Sequence, residues 1–484
     1  MAEAGPVGWW LREALAAEEA GQPAGAPPLE PGARVDVAIV GGGYTGLWAA
    51  WWLLEQQPGI RIAVLEQAVC GAGPSGRNGG FLHGWWDQAP YLVERFGPDA
   101  ALRLAWLVDE SVGAIDEWCA RQGVDAWFRR SGYLRVSASP SQDGEWRAAV
   151  RTLESLGAGG QYLELSRDEV RRRCDSPAIR GGALMPNAAT IQPARLARGL
   201  RRVLLDRGVA IHEGVTVRHL RGDTPLRLTT SGGEIRADQA ILALNAWAAG
   251  WPGFGTSLLA WGSHIVLTEP APEALRVSGW TGGEAIADSR FTVHYFRTTP
   301  DGRVAFGAGV GRSAYGGRVD GRYDRDARAE ERARAALLRF LPAFAGVPIA
   351  DAWGGPIDVS ADRLPVIGSR LGGRVHHAHG FSGNGVAPAH FAGRLLAALV
   401  ADPSGEIARL PIVNRRLQRF PPEPLRSVGV RLVREALVRS DEAEDAGRRA
   451  RLPIRLMAGL PRALGYRFGT PRIQRVDREV HQRR

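Results

Sequence analysis

One stretch constrains this chain more than any other: DVAIVGGGYTGLWAAWWLLEQQPGIRIAVLE, residues 36–66. Val35 to Val40 (VDVAIV) form a short, apolar, β-branched run, the mark of a buried strand. Gly41, Gly43 and Gly46 follow in the spacing G-x-G-x-x-G, with Tyr44 and Thr45 between them. LWAAWWLLEQQ then has helical character, Pro58-Gly59 breaks it, and RIAVLE is a second strand ending at Glu66. A strand, a glycine turn, a helix and a second strand closed by an acid make a dinucleotide-binding unit. The glycines allow a tight turn and close approach of backbone to a pyrophosphate, whose charge suits the helix N-terminus. Glu66 would accept hydrogen bonds from a ribose. The pattern alone does not separate NAD from FAD.

Two later stretches do. GAGPSGRNGGFLHGWW, residues 71–86, has the glycine density of a linker. It also carries Arg77, Asn78, His83 and the pair Trp85–Trp86, which a linker does not need. Near residue 380, HGFSGNGVAPAHFAGRLLAALV places Gly380, Gly383 and Gly385 before a helix, a second terminus suited to negative charge or a polarised carbonyl. Two such turns, far apart in sequence, suit a long ligand held at both ends. FAD fits better than NAD.

The chain of 484 residues is long enough for two or three domains, and 45% hydrophobic with 23% charged residues is ordinary for a globular protein. No apolar run reaches the roughly 18 residues that span a bilayer; the longest, Leu47 to Leu54, is far shorter. The N-terminus is acidic where a secretory leader is basic, so a cytoplasmic location is expected. Cys70, Cys119 and Cys174 make no CxxC and no zinc spacing. From Glu406 onward 19 arginines face 9 acids, so the tail carries the whole net charge of +10. The chain contains no lysine.

DVAIVGGGYTGLWAA, GAGPSGRNGG, YFRTTPDGRVAFGAG, WGGPIDVSADRLPVIG and GFSGNGVAPAHFAGRLLA together resemble the FAD-dependent oxidoreductases of the D-amino-acid oxidase superfamily. They run in that family's order over three-quarters of the chain. The likeness is strongest to bacterial amine-oxidising branches, of gamma-glutamylputrescine oxidoreductase-like and aminophosphonate oxidoreductase-like kinds. The resemblance implies an α/β fold: a discontinuous Rossmann-type FAD-binding domain (35–110, 190–250 and 350–402) and a mostly antiparallel α+β substrate domain (111–189 and 251–349). An N-terminal helix and arm (1–34) and a basic extension (403–484) flank them. It implies FAD contacts at Gly41, Gly43, Tyr44, Thr45, Gly46 and Glu66 in the first turn. Ser75, Gly76, Arg77, Asn78 and Gly79 would follow in the second loop, with Val215 and Val217 near the adenine and Asn245 and Ala246 near the pyrophosphate. Ser382, Gly383, Asn384 and Gly385 complete the set.

The implied reaction moves a hydride from an amine-bearing carbon to flavin N5 and leaves an imine that hydrolyses. The substrate would be a primary or secondary amine: an amino acid, a polyamine derivative or an aminophosphonate. A non-amine substrate and a role in tRNA modification stand as alternatives, and no nucleic-acid partner is expected. Tyr295 and Arg297 alternate on one strand and share a face. Arg297 would then grip a substrate acid group, or else pair structurally with Asp288 or Asp301. His264, His294 and Asn384 are further candidates near the flavin. Trp85, Trp86, Trp261 and Trp353 would be pocket walls or plain core. His377 and His379 have a possible ligand spacing with His376 and His390 nearby, but the family places a flavin-facing strand there, so no metal is expected. No cysteine lies beyond Cys174 and no histidine directly follows the SGRN core, His83 being a weak substitute, so FAD is expected to be non-covalent. Without lysine, the oxygen-activating lysine of some members has no counterpart, and the acceptor is oxygen or another oxidant. In the tail, Leu425, Val428, Leu432 and Leu437 fall at helical spacing among arginines. That helix would dock on the protein's own body or lie on an anionic membrane.

Overall fold

The computed structural model describes residues 7–19, 29–290, 292–309 and 311–467. Its first sheet is built around Arg34–Val40. This strand runs parallel to Ile62–Leu65 on one side and to Gly233–Leu242 on the other. Ala210–His212 extends the sheet beyond Ile62–Leu65, and Val375–His379 pairs in parallel with the end of Gly233–Leu242. Such strands are covered on both faces and therefore read as continuous apolar runs. The helix Tyr44–Gln56 packs against Val386–Ala401 so closely that a Cβ on Gly393 would lie 2.5 Å from Trp48 Cβ. That contact explains why the Leu47–Leu54 segment is apolar all round: it is a core helix between layers. Among the described residues no helix is long and apolar enough to cross a membrane.

The second sheet has the order Ile349–Ser360, Leu258–Thr268, Val304–Ala308, His294–Thr298, Ala285–Asp288, Tyr133–Ser137, Gly181–Met185, Leu163–Leu165. All its pairings are antiparallel except Ala285–Asp288 with Tyr133–Ser137. Two expected boundaries move. Ile349–Ser360 pairs along its whole length with Leu258–Thr268, so the chain returns to the first sheet after Ser360 and not at 350. The expected break at 110 falls inside the helix Pro98–Gln122. Helical periodicity runs through that point, so the sequence there marks no boundary. A small sheet of Phe81–Leu82, Ala189–Thr190 and Arg129–Arg130 joins the layers.

The helix Trp9–Glu19 docks on the body: Trp10 meets Trp353 edge-on at 5.9 Å, and Glu13 and Glu18 pair with Arg195 and Arg198. The tail forms two helices, Leu425–Asp445 and Leu452–Ala463, packed through Val433, Ala436, Leu437 and Ala458. Asp445 pairs with Arg290, Asp441 accepts from Thr292, and Arg426 donates to the Gly255 carbonyl. Docking uses the Leu437 side of the first helix, while Leu425, Val428 and Leu432 of the predicted stripe are exposed. Beyond the second helix, the Arg467 N–H donates to the Ala361 carbonyl at 2.8 Å.

Candidate active site

A cavity of about 630 Å³ lies where the parallel strands of the first sheet end, beneath the second sheet. That position, outside the carboxyl ends of the strands, is where open α/β sheets take their ligands. Gly41, Gly43, Tyr44, Thr45 and Glu66 line one end, with Val215 and Val217 beside them. Gly41 has φ +113, and a Cβ there would sit 2.4 Å from the Ala243 carbonyl oxygen. Gly46 does not line the cavity; its missing Cβ would fall 2.1 Å from the Gly41 oxygen, so it serves close packing of the turn on its helix. Glu66 accepts from Gly42 N at 2.8 Å and Ala68 N at 2.9 Å. Burial raises its pKa. Each carboxylate oxygen keeps a lone pair for a further donor.

In the loop at 71–80 the polar side chains serve the loop itself. Ser75 Oγ accepts from Tyr44 N at 2.9 Å. Asn78 donates to the Pro74 and Ser75 carbonyls, both at 3.0 Å, and accepts from Gly80 N at 2.7 Å. Arg77, expected to contact FAD, spends its guanidinium on the Ala72 carbonyl at 2.6 Å and Asp324 at 2.5 Å. Trp353 donates to the Arg77 carbonyl at 2.9 Å and does not line the cavity, so it buttresses this loop. Gly76 is also internal: a Cβ would lie 2.2 Å from the Gly71 oxygen. Gly73, Ser75, Arg77, Asn78 and Gly79 line the cavity, with the polar groups of Ser75, Arg77 and Asn78 engaged in holding the loop and its neighbours. The segment is a shaped surface, not a linker.

The second glycine turn is pinned by a residue that motif reading missed. Asp358 is buried, lines the cavity, and accepts from Gly380 N at 2.5 Å and Phe381 N at 3.2 Å. Burial pushes its pKa up to about 7. An acid inside the apolar strand of GGPIDVSA was the available signal. Ser382, Gly383, Asn384 and Gly385 line the cavity here, with Gly385 capping the helix Val386–Ala401. The Asn384 side-chain oxygen is buried with no hydrogen-bond partner among the described residues, a cost that a bound donor would relieve. Asn245 faces the same space, whereas Ala246 is core, packed with Ala260 and Tyr323.

On the second sheet the pleat decides which side chains reach the cavity. Trp261, Ser263 and Ile265 line it, so His264 between them points away. His264 is wholly buried and neither ring nitrogen has a partner among the described residues, which corrects its expected catalytic role. Tyr295 lines the cavity, bonds Ser263 Oγ at 2.8 Å, and has its pKa pushed up to about 12 by burial. Arg297 shares its face but lies beyond the cavity, under the N-terminal helix. There its guanidinium donates to the Ile191 and Thr298 carbonyls and lies over Trp10. It neither meets the cavity nor pairs with Asp288 or Asp301. Asp288 bonds His294 at 2.7 Å, which keeps that histidine structural. Trp85 lines the cavity, while Trp86 donates to Asp109 at 2.7 Å in the core. His376 bonds Ser369 and Gln239, His379 bonds Ser257, and His390 bonds Ser111. The cavity's other end holds residues that sequence reasoning did not single out: Asp87, Tyr133, Arg135, Arg290 and Arg363.

A nucleotide-binding sheet under an antiparallel roof, with one cavity touching two glycine turns, defines a flavin-dependent oxidoreductase. The family model described as "FAD dependent oxidoreductase" (DAO) matches residues 36–399, and the chain belongs to this family. It is 31% identical over 396 residues to gamma-glutamylputrescine oxidoreductase of Escherichia coli (strain K12), covering 80% of this chain and 89% of that one. It is 32% identical over 388 residues to the probable oxidoreductase OrdL of Rhizobium meliloti (strain 1021), covering 78% and 86%. Glycine oxidase from Geobacillus kaustophilus shares the fold, with TM-score 0.66 and 22% identity over 80% of this chain and all of that one. The residues fit FAD: glycines whose side chains would close the cradle, Glu66 for a ribose, and an unpartnered Asn384 oxygen at the far turn.

Proposed function

We propose that this enzyme oxidises a primary or secondary amine. One observation carries the reading: a single cavity joins the nucleotide turn, the 71–80 loop and the second glycine turn to a roof of Trp261, Ser263, Ile265 and Tyr295. Non-covalent FAD, when bound, supplies the hydride acceptor. Glu66 and the first turn would hold its ribose and pyrophosphate, and Asn384 with the Gly383–Gly385 backbone its flavin end. The chain's own part is to orient the amine's C–H bond and exclude water. Trp85, Phe81, Trp261 and Ile265 make the amine's surroundings apolar, which favours the neutral amine by desolvating its cation. Tyr295, protonated through the neutral range, offers a hydroxyl oriented by Ser263. The amine-directed name of the Escherichia coli relative supports the same substrate class.

The test is anaerobic. The purified protein is expected to be yellow, and a panel of polyamines, N-methyl amino acids and aminophosphonates is screened for bleaching of the flavin band. Bleaching by at least one amine is expected, and admission of air then tells an oxidase from a dehydrogenase. A flavin that no amine reduces, while a hydroxy acid or another non-amine does, overturns the proposal.

A further inference from the structure

The cavity is chemically lopsided. Its end away from the glycine turns carries Arg290, which pairs with Asp445, and two guanidinium groups that form no ion pair with a carboxylate among the described residues. Arg135 sits mid-strand in Tyr133–Ser137, and among the described residues its side-chain bonds go to hydroxyls, Ser289 Oγ at 3.1 Å and Tyr133 OH at 3.4 Å. Arg363 lines the same space and its guanidinium makes no hydrogen bond or ion pair among the described residues. The two charges are close enough that Arg135 adds to burial in depressing the Arg363 pKa. Asp87 and Glu145 are the acids facing this end; Asp87 accepts from Gln88 at 3.2 Å, and neither acid forms an ion pair with either guanidinium. Both acids favour the charge on Arg135, and Asp87 that on Arg363, but with no ion pair closing either fork the two guanidinium groups stay open to a bound oxyanion.

The backbone of Arg363 is a second, independent sign. It has φ +65, in the turn that carries the chain from Ile349–Ser360 to Val366–Arg370. That left-handed conformation is cheap for glycine and strained for arginine. The C-terminal extension supports the same turn: Arg467 N–H donates to the Ala361 carbonyl, and its guanidinium stacks on Tyr91 at 3.8 Å. A row of rings links this end of the cavity to the flavin loop. A Cβ on Gly79 would lie 3.1 Å from the Tyr295 ring; Tyr295 to Phe81 is 5.9 Å, Phe81 to Tyr133 is 6.0 Å, and Tyr133 stacks on His83 at 4.4 Å.

We propose that Arg135 and Arg363 form a subsite for an acid group at the end of the substrate remote from the oxidised amine. This rests on the amine reading and narrows it. The substrate is a chain with an amine at one end and a carboxylate or phosphonate several bonds away, not a short α-amino acid. Tyr133 supplies a further donor, and the forked guanidinium groups suit either oxyanion.

The experiment uses the FAD-loaded full chain and compares Arg363→Gly and Arg135→Gln with wild type on hexylamine, aminocaproate and aminopentylphosphonate. Wild type prefers an acid-bearing amine, and the better of the two identifies the acid. In each variant the kcat/KM ratio of that amine to hexylamine falls about 10- to 100-fold, carried by KM, as expected for loss of a charged hydrogen bond. Arg363→Gly melts no lower than wild type, because glycine relieves the left-handed strain. Binding of caproate and pentylphosphonate, which carry no amine, is followed through the flavin spectrum and weakens by a similar factor. If no amine bleaches the flavin the amine reading fails, and this binding arm still decides the subsite. Unchanged ratios, or equal binding of both acids to wild type and Arg363→Gly, overturn the proposal.

Discussion

The two walls of the cavity are built on opposite principles. On the floor, the first sheet and its glycine turns, many polar side chains brace the loops, and the ligand space is shaped by glycine turns with Glu66 and Asn384 among the side chains facing it. Asn78 closes its own loop, Arg77 reaches Asp324, and Asp358 holds the Gly380 and Phe381 amides. On the roof the backbone is consumed by strand pairing, and alternate side chains face the ligand: Trp261, Ser263, Ile265 and Tyr295. A floor of this kind tolerates no added side-chain volume. A roof tolerates change at one face and is indifferent at the other.

The largest expected effect is therefore a single methyl group on the floor. In Gly46→Ala the new Cβ would fall 2.1 Å from the Gly41 carbonyl oxygen, a backbone atom that cannot step aside without opening the turn. We expect a cost of about 3 kcal/mol, the upper part of the range for overpacking, and protein that purifies colourless. Absorbance of bound flavin per chain measures it, and full occupancy would show that the turn is looser than its packing implies. Next comes Asp358→Asn, which sets an amide donor against backbone donors. Leaving one of them unsatisfied costs about 2 kcal/mol, so FAD affinity falls by roughly 30-fold in a titration of the cofactor-free protein. Asp358 also adds a pH dependence. Its folded pKa of about 7 lies above the ordinary 3.8, so the folded state holds the proton more tightly. The group's contribution is full below the ordinary value and is lost as pH rises through about 7. Melting of the FAD-free wild type should drop between pH 5 and pH 8, and the drop should shrink in Asp358→Asn.

This contrast also explains what was legible before the structure. The floor announces itself because left-handed turns and close backbone contacts demand glycine, and glycine spacing survives as a motif. Gly41, Gly43 and Glu66 could be placed from spacing alone. Even there the roles of Arg77 and Asn78 were not legible, since a polar residue in a glycine loop reads equally as ligand contact or as loop brace. The roof carries no such spacing. Leu258–Thr268 is buried at every position but one, so no alternation marks its inner face. His264 was therefore assigned to the wrong side. Tyr295 and Arg297 do share a face, but a strand outruns the cavity it borders, and sequence does not say where the cavity stops. Arg135 had a signal, a charge within the apolar run GYLRVSA. Arg363 had none, because the demand for a left-handed backbone at that turn is visible only once the turn is built.

A moderate effect is expected on the inner face of the roof. Tyr295→Phe removes the hydroxyl bonded to Ser263 and leaves the ring against Gly79 and Phe81. Loss of one neutral hydrogen bond is worth about 1 kcal/mol, so kcat/KM should fall roughly fivefold with flavin content intact.

The smallest effect on activity, and the sharpest test of the contrast, lies one residue from Ser263, on the other face of the strand Leu258–Thr268. His264 is buried with both nitrogens unpartnered among the described residues, beside Gly354 and within reach of the charges of Asp326, Glu330, Arg312 and Arg325. Burial outweighs the two acids and lowers its pKa. The folded state therefore binds this proton less readily than the unfolded chain, and the site costs stability as pH falls below about 6.5, the ordinary histidine value. His264→Leu removes both the orphaned polar atoms and the titration. We expect kcat/KM unchanged, melting raised by the equivalent of about 1 kcal/mol, and a smaller loss of stability than wild type between pH 7 and pH 5. A large fall in kcat with normal folding would put the imidazole in the reaction and reverse the assignment of the strand's two faces. Unchanged catalysis with reduced acid sensitivity would show that one side of a single strand serves the chemistry while the other serves only the packing beneath it.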